Sequence, residues 1–158
     1  MSSPASTVPA VVDWLVTNIA AHPTVAAAPT DGSQPVLVVY GPPGTYQPDD
    51  IIAVAFPVQG TFTALAMVGS GGAGWLREDY DVAVEISCFR GGDDAKSVFA
   101  RAGQLAYAVA DTVRSDPSIG DAVVQAMPAG FTWEQSWDPD HKGREVRVVV
   151  QISVTSQV

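Results

Sequence analysis

Between residues 144 and 154 the chain reads Arg-Glu-Val-Arg-Val-Val-Val-Gln-Ile-Ser-Val. Val146, Val148, Val150, Ile152 and Val154 fall on one parity, and Arg147, Val149, Gln151 and Ser153 on the other. Side chains of a strand point alternately to its two faces, so this spacing describes one buried face and one mostly polar face. Tyr80, Val82, Val84, Ile86 and Cys88 repeat the pattern, with Asp81, Ala83, Glu85 and Ser87 opposite. Two long strands that are each dry on one side dictate a sheet with a second layer packed on one face only.

Two helices are available to form that layer. Ala95, Val98, Phe99, Ala102, Leu105, Ala106, Val109, Ala110 and Val113 recur at helical spacing and predict a helix over residues 94–115, with Phe99 and Leu105 pointing inward. Asp93 or Asp94 suits its start, and Asp116-Pro117 closes it. Val8, Val11, Val12, Leu15, Val16 and Ile19 predict another helix over residues 7–21, with Thr7 as N-cap, Pro9 in the first turn and His22-Pro23 at its end.

Residues 23–35, rich in Ala, Pro, Gly and Ser, read as a loop. The apolar run Pro35-Val-Leu-Val-Val-Tyr suits a strand covered on both faces. Further strands are expected over residues 50–56, 61–67, 122–127 and 131–137. Helix, strands, helix, strands, without regular alternation, favours an α+β fold: a mostly antiparallel sheet flanked by two main helices. The expectation is one domain over residues 1–158, with flexible residues 1–6 and a flexible Gly-rich loop at 69–74.

No motif stands out as catalytic. Gly41-Pro-Pro-Gly-Thr-Tyr follows a strand as a phosphate loop would, but it lacks the Gly-Lys-Ser/Thr ending, and its two prolines remove amide donors. Asp138, Asp140 and His141 are close in sequence, yet Asp-Pro-Asp before Lys142-Gly143 is ordinary turn chemistry. Glu78, Asp79 and Asp81 read as a charged strand edge rather than an acid–base pair. No catalytic, cofactor-binding or metal-binding residue is expected, and the single cysteine, Cys88, reads as a small buried hydrophobe.

The formal charge of −9 rests on 17 acidic and 8 basic residues, the latter scattered singly. Nucleic-acid binders need clustered cations to displace counterions, so specific DNA binding is not expected. No apolar run reaches the ~18 residues of a bilayer span. Met-Ser-Ser-Pro-Ala-Ser-Thr has no positive region before its apolar segment, so neither a secretion signal nor a membrane partner is expected.

The large aromatics are candidates for contact with other molecules. Phe131, Trp133 and Trp137 share one strand parity and are either a core stripe or an interface patch. Trp75, Leu76 and Arg77 follow the glycines of residues 69–74, and residues 69–78 read either as a flexible arm that orders on a neighbouring subunit or the tube, or as a hairpin loop whose Trp75 folds back on its own sheet.

Several stretches together look familiar. Tyr80-Asp-Val-Ala-Val-Glu-Ile-Ser-Cys-Phe precedes a Gly-Gly-Asp-Asp turn and a helix carrying Phe99-Ala-Arg-Ala. Val113-Arg-Ser-Asp-Pro-Ser-Ile-Gly and the closing Gly143-Arg-Glu-Val-Arg-Val-Val-Val-Gln-Ile-Ser-Val follow, and a first helix stands before Pro35-Val-Leu-Val-Val-Tyr-Gly. This order resembles the tail terminator proteins of long-tailed bacteriophages, also called minor tail or tail-completion proteins, over most of residues 8–156. The resemblance implies a non-enzymatic virion protein, assembled in the host cytoplasm and sited at the head-proximal end of the tail. It further implies a homo-oligomer, a hexameric ring, that caps the tail tube protein and meets a head-completion or neck protein while DNA passes through unbound. Another head–tail connector has the same outward features, and a ligand-binding domain or enzyme is the remaining alternative. Trp75, Leu76, Arg77, Trp133 and Trp137 are the expected interface residues.

Overall fold

The computed structural model describes residues 6–66 and 75–157, leaving aside the side chains at 65, 66 and 75. In chain order the elements are α1 (Val8–Ala21), α2 (Pro23–Ala26), β1 (Leu37–Tyr40), β2 (Asp50–Ala66), β3 (Trp75–Gly91), α3 (Ala95–Ser115), β4 (Gln125–Asp138) and β5 (Gly143–Gln157). The strands form one sheet in the order β1-β2-β3-β5-β4. Every neighbouring pair is antiparallel except β1 with β2. The α+β class and the antiparallel bias read from the sequence are what the chain adopts.

Alternation decides which face is dry. Ile52, Val54, Tyr80, Val82, Val84, Ile86, Cys88 and the even-numbered residues from Val146 to Val154 line one face. They pack against Val11, Leu15 and Ile19 of α1, Val25 of α2, and Val98, Leu105, Val109 and Val113 of α3. Cys88 lies in that core, where burial first and the Asp50 carboxylate second push its thiol well above the ordinary range. The α3 helix starts on Asp94, whose side chain accepts from the Ser97 amide at 3.1 Å.

Some elements differ from expectation. The two strands expected over residues 50–56 and 61–67 are one through Ala66, residue 67 lying outside the described residues, because irregular pairing between Val54 and Val58 absorbs Phe56-Pro57 and keeps both valines on the core face. A similar shift between Pro128 and Gly130 lets Gln125–Asp138 run as one strand. The Val36–Tyr40 segment is not covered on both faces: β1 is a short edge strand, partly buried, with Tyr40 largely exposed. Part of the expected loop after α1 is a helical turn, α2, whose first amides are capped by His22 accepting from the Thr24 amide at 3.2 Å. The expected loop at 69–74 and residues 1–5 lie outside the described residues.

Phe99 was expected inward and is 41% exposed, lying over Trp133 with ring centroids 4.6 Å apart. It sits at the margin of the α3 stripe, where the helix overhangs β4 rather than the middle of the sheet. Among the described residues no helix is long and apolar enough to cross a membrane.

Candidate assembly surface

All three helices gather on one face of the sheet, and the other carries the odd-numbered residues of β3 and β5. That face presents Arg77, Asp79, Asp81, Glu85 and Ser87 from β3, and Glu145, Arg147, Gln151, Ser153 and Thr155 from β5. Gln59, Thr61 and Thr63 of β2 and Thr132 and Glu134 of β4 extend it. The two arginines are engaged with carboxylates, Arg77 with Asp79 at 2.8 Å and Arg147 with Glu85 at 3.0 Å. Asp81, Glu134 and Glu145 add further negative charge, so a broad sheet surface is hydrophilic and net acidic.

The two lateral edges have a different character. β1 pairs only with Ile51–Val54 on β2, and from Val58 onward β2 has β3 on one side and no strand on the other among the described residues. β4 is the opposite edge for its whole length. Sheet edges in soluble proteins are commonly guarded by charges or covered, because unpaired amides and carbonyls template further pairing. Here residues 58–66 read Val-Gln-Gly-Thr-Phe-Thr-Ala-Leu-Ala and residues 122–133 read Ala-Val-Val-Gln-Ala-Met-Pro-Ala-Gly-Phe-Thr-Trp, without one charged side chain. Phe62 is 67% exposed at the first edge and Phe131 72% at the second. Beside the second edge, Gly103, Ala106 and Tyr107 of α3 and Pro128, Phe131 and Trp133 of β4 enclose an apolar groove of about 480 Å³.

The residues expected at an interface are not brought together. Trp133 and Trp137 belong to β4, at the open edge; Trp133 is partly buried under Phe99, and half-exposed Trp137 holds the Arg144 guanidinium 5.5 Å from its ring centre. Leu76 and Arg77 sit at the other end of the sheet, where Leu76 pairs with Ala64 and Arg77 with Thr63 and Gln157. The expected arm is therefore corrected at residues 75–78: Trp75–Gly91 is a single strand in the middle of the sheet. The side chain of Trp75 lies outside the described residues, as do residues 69–74.

Glu78, read as part of a charged strand edge, is instead buried at 3% exposure, because β3 is flanked by β2 and β5. It accepts hydrogen bonds from Ser6 Oγ at 2.6 Å, from the Thr7 amide and Thr7 Oγ1 at 2.8 Å each, and from Ser156 Oγ at 3.2 Å. Thr7 makes no side-chain cap of its own on α1. A buried carboxylate on the helix-facing side of β3 takes that place at the positive end of the helix. Ser6, expected in a flexible tail, is fastened by the same group. Parity was the missed signal, since Glu78 shares it with Tyr80 and Val82.

Burial pushes the Glu78 carboxyl up, but the hydrogen bonds from Ser6, Thr7 and Ser156 outweigh it and leave the group below its ordinary value of 4.5. A lowered folded-state value means that this stabilisation is present above 4.5 and is lost as pH falls through the folded value. Wild type should therefore lose stability more steeply than Glu78→Gln as pH is lowered beneath about 4.5, read by urea unfolding at successive pH values. Identical slopes for the two proteins would refute the assignment.

A second buried cluster joins Asp50, wholly buried at the start of β2, to Arg90 and Arg101. Arg90 also donates to Asp31 at 2.6 Å, tying the loop before β1 to the end of β3. Its charges balance and it binds elements together, so it reads as structural. Asp138 and His141 hydrogen-bond to each other at 2.7 Å in the exposed β4–β5 turn.

No protein-family model and no curated protein matches the chain. Among solved structures, it is similar to a chain of the virion of a native gene transfer agent particle, at 16% identity and a TM-score of 0.45, over 97% of this chain and 100% of that one. No role is transferred from that likeness.

Proposed function

We propose that the chain is a non-enzymatic structural subunit of a phage-type virion that forms a hexameric ring on the end of a tail tube. The ring ends polymerisation of the tube protein and offers its other side to a head-completion or neck protein. The order of segments shared with tail terminators supports this reading, and one structural observation carries it: a sheet whose helix-free face is polar and net acidic while residues 58–66 and 122–133 at its lateral edges are uncharged. A subunit that must stand beside copies of itself and beside passing DNA needs that division. Its sides can approach one another without like-charge repulsion, and its free face repels phosphate rather than gripping it. A closed ring uses heterologous contacts, one patch meeting a different one on the next subunit, and two distinct edges satisfy that requirement.

Negative-stain imaging of tail tubes growing with and without the purified protein tests the role. Tubes grown with it should stop short, each with an annulus at one end. If tubes lengthen unchanged and the protein is found only on head-completion protein, it is a different connector. Indifference to both would remove the virion reading altogether.

A further inference from the structure

With the ring-forming role as the premise, we infer that neighbouring subunits join edge to edge, the outer edge of β2 beyond Val58 pairing antiparallel with the outer edge of β4 in the next copy. The occupant of each edge is thus a second copy of this chain.

Strand direction is the first support. Across β3 and β5 the direction reverses at each step, so β4 runs opposite to β2. A second copy placed alongside in the same orientation therefore sets its β4 antiparallel to this β2, and the five-stranded sheet continues into the neighbour without inverting either molecule. Height is the second. Gln59 pairs with Asp81, Asp81 with Ser153 and Ser153 with Met127, so Val58–Thr61, just past β1, stand level with Pro128–Gln125 at the start of β4, while Phe131 stands level with Val54, which β1 covers. Charge is the third: in a chain of formal charge −9, residues 58–66 and 122–133 are stretches where two copies meet without opposing carboxylates. Joined edges keep the acidic face continuous from subunit to subunit, and from Phe131 onward the neighbour's β4 steps outward at its Pro128–Gly130 irregularity and meets the outer edge of β1.

Light scattering on the full-length protein and two variants tests this. Phe62→Glu charges the β2 edge and Met127→Glu the β4 edge; both side chains are exposed, and Met127→Glu should leave the melting temperature within about 3 °C, whereas Phe62→Glu, opposite Glu78, lowers it further. Each variant alone should need about 100-fold or more protein to associate, because a carboxylate is buried without a cationic partner in a contact that excludes water. Mixed in equal amounts, they should form a one-to-one pair and nothing larger, since each retains the edge that the other lacks.

Assembly of either variant at the wild-type concentration overturns the edge pairing. So does association of Phe62→Glu alone into dimers, which would mean that β4 pairs with itself. Wild type that stays monomeric at high concentration yet caps tubes also overturns it while leaving the capping role intact. Wild type that assembles through these edges but ignores tubes keeps the pairing and loses the role. Should either variant melt early, Thr63→Glu and Phe131→Glu carry the same test.

Discussion

Asp50→Ala should lower the free energy of unfolding by about 3–5 kcal/mol, the range for removing one partner of a buried ion pair. Asp50 has no exposed surface, and Arg90 grips it with both arms, Nη1 to Oδ1 at 2.7 Å and Nη2 to Oδ2 at 3.0 Å. Arg101 adds Nε to Oδ2 at 3.1 Å, while its Nη2 is buried without a protein partner. With the carboxylate gone, two guanidinium groups in a largely dry site keep only the Asp31 carboxylate, the Phe89 carbonyl and the Gln104 side chain as acceptors. The loss falls on four parts at once: the loop before β1, the start of β2, the end of β3 and the first turns of α3. Asp50→Asn should recover only a small part of it, because an amide cannot accept from both arms of Arg90 and carries no charge. Urea unfolding reads both variants, and a loss below about 1 kcal/mol for Asp50→Ala would show that the cluster is incidental.

Leu105→Ala should cost about 2–5 kcal/mol, from lost transfer energy and the cavity left behind. Leu105 is wholly buried midway along α3, against the sheet. Two controls give the number its meaning. Gln151, on the helix-free face of β5, should tolerate alanine to within about 0.5 kcal/mol. Phe99→Ala should fall between them, at roughly 1 kcal/mol, because its ring is partly exposed and its main contact is a single aromatic neighbour. Equal losses at Leu105 and Gln151 would mean that the helix and β5 are packed in another register.

Much of the fold follows from period alone. A period of two at Tyr80–Cys88 and Val146–Val154 is a local property of the chain, and the core face of β3 and β5 is the one that alternation assigns. The stripe of α3 and the stop at Asp116-Pro117 are local as well. The helix ends agree with the reading, as do Val98, Ala102, Leu105, Val109 and Val113, but the buried face is turned toward Ala108 and Thr112, outside the expected stripe, and away from Phe99, because the packing partner determines which margin is covered.

Breaks were less legible. Pro57 and Pro128 are strong local signals against a continuous strand, yet the partner strand passes each through a register shift, and a partner strand is not visible from the sequence of one.

The candidate surface divides in the same way. That the chain is acidic, with cations scattered among carboxylates, is a matter of composition, and it sets the sequence against a DNA-gripping surface. Which aromatics reach solvent is a matter of strand order. Phe131, Trp133 and Trp137 share the parity of the core valines and still lie at an open edge, because β4 is the last strand and α3 covers only part of it. Strand order results from contacts between residues tens of positions apart, and only the folded chain makes Glu78 a buried cap for a helix that begins 70 residues earlier. Faces are decided by spacing along the chain; edges, and the charges at them, are decided by which strands the tertiary structure leaves without a neighbour.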